Sequence, residues 1–170
     1  MKINKELAAK ARKLDICKPW LQMLKEAKDK HSLMKMFVKG IDFCLANNFP
    51  SVEYLEKHGQ EVTDEYGVHV NKTVKKTDSP FTVLLGESKA ELTNNGFSFS
   101  QIFIKHDSIV DITATGNSLT IVDVFDDSVL IGTVSDSATM VIYKYGNPRV
   151  DILKSGNATL KIIDKQRKTY

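Results

Sequence analysis

The sequence predicts an α+β protein in which an N-terminal helical bundle is followed by a short parallel β-solenoid. Three observations carry that expectation. From Glu87 the chain divides into ten-residue units without gap or insertion up to Gln166, and Gly, Asp or Asn recurs where one unit meets the next. Before Gly67 the apolar residues instead follow the period of amphipathic helices.

Taken in order, NKELAAKARKL places Leu7, Ala8, Ala11 and Leu14 on one helical face. After a break at Ile16-Cys17-Lys18, Pro19 opens a second helix through Trp20, Leu21, Met23 and Leu24, so the two form an αα-hairpin. Ser32 reads as the N-cap of one longer helix, SLMKMFVKGIDFCLANN, stopped by Asn47-Asn48-Phe49-Pro50. Ser51 caps a short helix ending at Gly59, and a further helical turn spans Glu61 to Tyr66. The expected division is a helical domain over 1–66, a linker and first strand over 67–80, and the repeat domain over 81–170.

Within the repeat the positions differ from one another. Position 10 is Gly96, Gly116, Asp126, Asp136, Gly146 or Gly156, with His106 as the exception, and position 1 is Asp107, Asn117, Asp127, Ser137, Asn147 or Asn157. These residue types tolerate the left-handed backbone of a tight corner. Positions 4 and 6 are mostly aliphatic (Val110 and Ile112, Met140 and Ile142, Leu160 and Ile162), and a spacing of two puts both on one side of a strand. Position 2 is small, as in Ser108, Ser118, Ser128 and Ala138. A two-sided solenoid stacks residue i on i+20, giving four coils from 87 to 166, about 19 Å tall at about 4.8 Å per strand.

Alternate units lie on opposite faces. One face carries Phe99, Phe103, Leu119, Ile121, Val141, Tyr143 and Ile163 at outward positions; the other carries the more mixed Ile109, Asp111, Val129, Ile131, Arg149 and Asp151. Outward apolar residues call for a cover, either the N-terminal helices or a partner. A solenoid also ends in strands with free backbone groups, and Lys165-Gln166-Arg167-Lys168 reads as charge that blunts this end.

Composition limits function further. The net charge of +3 is uneven, with 15 Lys/Arg against 10 Asp/Glu over residues 1–76 and 9 against 11 beyond them. Lysines interleaved with acids read as a solvated helix face, and the acidic repeat half argues against nucleic acid. No apolar run approaches the roughly 18 residues of a membrane span. Cys17 and Cys44 lack metal or redox spacing and read as buried thiols of a reducing cytoplasm. The corner carboxylates Asp107, Asp126, Asp127 and Asp136 lack the glycine-rich nonapeptide of calcium-binding solenoids. His31, His58, His69 and His106 share no metal-ligand spacing, and no phosphate loop or nucleophile elbow is present.

The repeat half resembles two-strand-per-turn β-solenoids of the bactofilin kind, which have a longer repeat and no such helical half. The segments GIDFCLANNFPS (40–51) and KTY (168–170) are similar to small proteins of phages and prophages of gut bacteria. The first resemblance implies an architecture; the second implies a virion or phage-derived setting and no activity. The expectation is a structural or protein-interaction module without catalytic, cofactor or metal site, acting on a protein partner or a second copy. The alternative is a protein that binds a glycan through an aromatic strip of Phe97, Phe99, Phe103, Tyr143 and Tyr145, or an acidic partner through its lysine-rich helices.

Overall fold

The computed structural model describes residues 2–170, which form two compact units, one ending at Tyr66 and one spanning Gly67–Thr169. The first unit is helical. Helix α1 (Lys2–Arg12) buries Leu7, Ala8 and Ala11, and α2 (Lys18–Glu26) carries its proline in the first turn, where a missing N–H costs nothing. The buried Asn4 side chain donates to the carbonyls of Lys25 (2.8 Å) and Ala27 (3.1 Å), tying α1 to the end of α2 as a hairpin.

The long third helix expected from Ser32 is two helices, α3 (Lys30–Lys39) and α4 (Ile41–Asn47), separated at Gly40. Its cap is Asp29, whose carboxylate accepts from the Ser32 backbone N–H at 2.7 Å. At Gly40 a β-carbon would stand 3.2 Å from the Trp20 ring, so the residue that interrupts the helix also admits α2 against it. Asn48 ends α4 in the left-handed conformation, and Ser51 accepts from the Tyr54 N–H to open α5 (Val52–Gly59). A single 3-10 turn follows at Asp64–Tyr66. Of the two cysteines expected to be buried, only Cys44 is; Cys17 stands before the first turn of α2 and is exposed.

The second unit is a two-sided parallel β-solenoid of about five turns. Its eleven strands are β1 (Val68–Val70), β2 (Thr73–Thr77), β3 (Phe81–Leu85), β4 (Lys89–Asn94), β5 (Phe99–Ile104), β6 (Ile109–Ala114), β7 (Leu119–Asp126), β8 (Val129–Val134), β9 (Thr139–Gly146), β10 (Arg149–Lys154) and β11 (Thr159–Asp164). Odd strands build one six-stranded sheet and even strands a five-stranded sheet. From β3 onward every pairing joins residue i to i+20, as in Leu119 with Thr139 and Ile109 with Val129. The four expected coils are therefore β4–β11, and the solenoid begins earlier. The stretch expected as linker and first strand holds β1 and β2, which pair at shorter offsets, Val68 with Val83 and Thr73 with Lys89.

A positive φ recurs every ten residues, at Gly86, Gly96, His106, Gly116, Asp126, Asp136, Gly146, Gly156 and Gln166. At His106, Asp126 and Asp136 the polar side chain reaches back one coil. His106 Nδ1 accepts from the Gly86 N–H (3.1 Å), Asp126 Oδ2 from the His106 N–H (3.2 Å) and Asp136 Oδ2 from the Gly116 N–H (2.9 Å). The corner aspartates thus satisfy backbone donors that the sharp turn leaves unpaired. Among the described residues no group of three His, Cys, Asp or Glu is placed to hold a metal ion.

Positions 4 and 6 form the interior: Val110, Ile112, Val122, Leu130, Met140 and Ile142 are fully buried in one cluster. Each contributes about 2 kcal/mol on burial, as an upper estimate. The small residues at position 2 lie inside the corners, where Ser88 and Ser128 donate to the carbonyls of Leu85 (2.8 Å) and Phe125 (2.6 Å). One polar set interrupts the aliphatic rungs: Asn94 donates to Thr120 and accepts from Ser100, each at 2.9 Å, so its buried amide is satisfied on both atoms.

Gly132 breaks the aliphatic code at position 6, in register with Ile112 and Ile152. It adopts φ 147°, and a β-carbon there would stand 1.9 Å from the Ile112 carbonyl oxygen. Gly132→Ala should lower the stability of the solenoid by at least about 3 kcal/mol. Gly96→Ala meets nothing within 4 Å and should cost only the left-handed strain, about 1 kcal/mol. Urea unfolding of the two variants checks the contrast; equal midpoints would contradict it.

Candidate functional site

The outer face of the odd-strand sheet is organised in columns by the register. Phe99 and Leu119 share one column with Thr139 and Thr159, and Gln101, Ile121, Val141 and Lys161 form the next. A third runs Val83, Phe103, Asp123, Tyr143, Ile163. Burial increases from the first column to the third over the early coils. Phe99 is 48% exposed, whereas Phe103 is only 1% exposed and Val83 is fully buried.

Of the seven residues expected to form an interaction surface, Phe99, Leu119 and Ile163 are exposed, and Ile121, Val141 and Tyr143 are half-buried. Phe103 is not part of the exposed face; its ring packs against Phe81 at 5.7 Å between centroids. Phe97, at the preceding corner, is 88% exposed and adjoins Phe99. The aromatic strip is likewise divided. Tyr145 is buried and stacks on Phe125 at 4.6 Å with the rings nearly parallel, so its face is not free for a sugar or a base.

A charged group lies inside this packing. The Lys105 side chain is buried and pairs with Asp126 at 3.0 Å, with its ammonium 5.2 Å from the centre of the Phe125 ring. Asp126 therefore serves twice, capping the His106 N–H and neutralising a cation that lacks access to water.

The C-terminal tail does not blunt the end of the solenoid as its charges suggest. Lys165 lies over the Tyr143 ring (4.6 Å), Arg167 over the Tyr145 ring (5.8 Å), and the Arg167 carbonyl accepts from the Gly146 N–H at 3.0 Å. The tail folds back along the outer face because two aromatic rings there attract the cations. The last coil is left uncovered. Ile162 is 47% exposed and Ile152, Val150 and Leu160 are half-buried, although Met140, Ile142 and Leu130 beneath them are fully buried. Leu153 projects beside them at 69% exposed.

Charge does reach this end from inside the code. At position 8 the interior residues Ala114 and Val134 give way to Lys154, and on the other sheet Val124 is followed by Lys144 and then Asp164. Positions 4 and 6, which mark the interior in the sequence, do not reveal this substitution. The signal was present: an interior column turning ionic as it leaves the core.

Among the described residues, Cys44, Tyr54 and Tyr145 hold their protons tightly because of burial. Burial pushes the Cys44 thiol from 9.0 up to about 12. Burial, reinforced by the neighbouring Glu6 carboxylate, pushes the Tyr54 hydroxyl from 10.0 up to about 12, and burial beside Asp123 raises Tyr145. Because folding keeps these groups neutral, their contribution is complete below the unfolded values and is lost as pH climbs through the folded ones. The urea midpoint of the helical unit, followed by Trp20 emission, should stay level to about pH 9 and fall between about pH 9 and 12. A level midpoint through that window would contradict the assignment.

No helix among the described residues is long and apolar enough to cross a membrane. No family model, curated protein or solved structure matches the chain.

Proposed function

We propose that this protein is a non-enzymatic assembly module that pairs with a second copy of itself through the last coil of its solenoid. The supporting observation is the uncovered rung of Val150, Ile152, Leu160 and Ile162, bordered by the outer strand edges of β10 and β11. A strand edge is satisfied only by another strand or by water, and a lone peptide would satisfy one edge of the two. A second solenoid end offers both edges at the same sheet-to-sheet separation, together with a matching apolar rung.

Closure favours a dimer over a filament. Stacking head to tail needs a receiving edge at the other end, where β1 is buried along its whole length and β2 carries Lys75 and Lys76. Two identical ends meet about a two-fold axis perpendicular to the solenoid. Such an axis, along either the strands or the sheet normal, brings the facing strands together antiparallel. Six residues of strand by two stacked sheets present about 400 Å² per copy, about 800 Å² in all, which is below the size of permanent interfaces. Lys154 and Asp164 at opposite corners weaken the contact further, so association is reversible.

Phe97 and Phe99 support a second reading, in which the exposed corner of the odd-strand sheet docks another surface. Light scattering from micromolar to millimolar protein separates the two. The expected result is a concentration-dependent dimer that Ile162→Lys converts to monomer with an unchanged circular dichroism spectrum. A monomer at every concentration would remove self-pairing. A dimer that survives Ile162→Lys but is lost in the Phe97→Ala, Phe99→Ala double variant would move the interface to the outer face.

A further inference from the structure

The helical unit holds a cavity of about 580 Å³, and all of its lining residues lie between Ile3 and Val62. Each of the five helices contributes to the wall: Leu7 from α1, Trp20 from α2, Phe37 from α3, Cys44 from α4 and Leu55 from α5. The geometry points to a binding site for an uncharged, apolar small molecule, such as a fatty alcohol or a fused-ring aromatic compound, in the space between these helices.

An apolar space of this size is poorly served by its alternatives. The space is half open to solvent, so when unoccupied it leaves an apolar lining in contact with water. Water within it finds few partners, since a buried water needs two to four polar groups and this wall is mainly aliphatic and aromatic. A peptide helix exceeds the space: two turns with side chains form a cylinder about 10 Å across and 11 Å long, about 850 Å³, so only one face of it would enter. The volume instead falls within the range of about 300 to 1,000 Å³ usual for small-molecule pockets.

Charge decides the class of ligand. The ionic residues of the lining are Asp15, Lys30, Lys39 and Asp42, two of each sign, and Lys30 is already paired with Glu61 at 2.7 Å. His58 lies against the Tyr54 ring, 4.6 Å between centroids. A carboxylate head meets acids as often as bases and finds no unpaired cluster of cations, while any part of it drawn inside loses hydration, so the site favours the uncharged head.

Trp20 is the only tryptophan of the chain and lines the cavity, so its emission reads occupancy directly. The full-length protein is titrated with the uncharged probe N-phenylnaphthylamine, whose absorption overlaps tryptophan emission. The expected result is saturable one-to-one quenching, reversed by decanol at least about tenfold more effectively than by decanoate. Quenching without saturation would overturn the site, and equal competition by decanoate would overturn the uncharged class. Cys44→Phe, which pushes a ring into one part of the cavity, should weaken the probe at least about tenfold; an unchanged affinity in that variant would also overturn the site. Should Cys44→Phe fail to fold, Cys17→Ser protein with and without saturating decanol provides a second measurement. Alkylation of Cys44 by N-ethylmaleimide should then slow at least about tenfold with ligand, and an unchanged rate would overturn the proposal.

Discussion

A chain that reverses direction every ten residues must spend one residue per reversal in the left-handed region, and that backbone requirement organises the whole second unit. With positive φ at Gly86 and at each tenth residue to Gln166, successive strands come back at the same height increment and in the same phase. Equal phase puts positions 4 and 6 inside on every strand and gives the constant i+20 register. The corners are also where the polar chemistry gathers. Asp126, Asp136 and His106 accept the N–H groups of the coil before, and the small residue at position 2 leaves room for the turn.

The same regularity creates the problem of the ends. In the middle of the stack each strand is covered on both edges and each rung lies between two others. The last coil has one neighbour only, so Ile162 meets solvent and β10 and β11 keep free edges. The ionic residues at position 8 moderate this exposure without removing it, since Lys154 and Asp164 stand at the corners of an apolar rung. An end that is apolar in its centre and charged at its corners suits a weak, reversible contact. The helical unit faces a different packing problem, because five short helices broken at Gly40 leave a space between them that their own side chains do not fill.

Much of this was legible in the residues. Asp126, Asp136 and Gly116 marked corners by type, Val110 through Ile162 marked the interior by spacing, and the division of outward residues between two faces followed from alternation. The start of the solenoid was not legible. β1 and β2 pair with β3 and β4 at offsets of 15 and 16, so a ten-residue frame loses phase there. The interruption at Gly40 was hidden by an apolar stripe that continues across it, and only the Trp20 ring at that point explains the glycine. Phe103 fell in the outward column as expected, but an outward direction does not determine exposure, and its burial follows from what packs around Phe81 and Val83.

The division of labour has a physical basis. Local steric preference and side-chain alternation act between residues a few positions apart, so the sequence by itself determined the helical character of the first unit and the corners, the rungs and the two faces of the solenoid. Contacts between residues far apart in the chain decided the rest. The ring of Tyr143 draws Lys165 away from the open end, Asp126 neutralises a lysine twenty-one residues earlier, and helices from Lys2 to Gly59 line a half-open cavity that no local pattern encodes. Those contacts depend on which surfaces remain once the local elements have formed, and that is settled only when the elements pack.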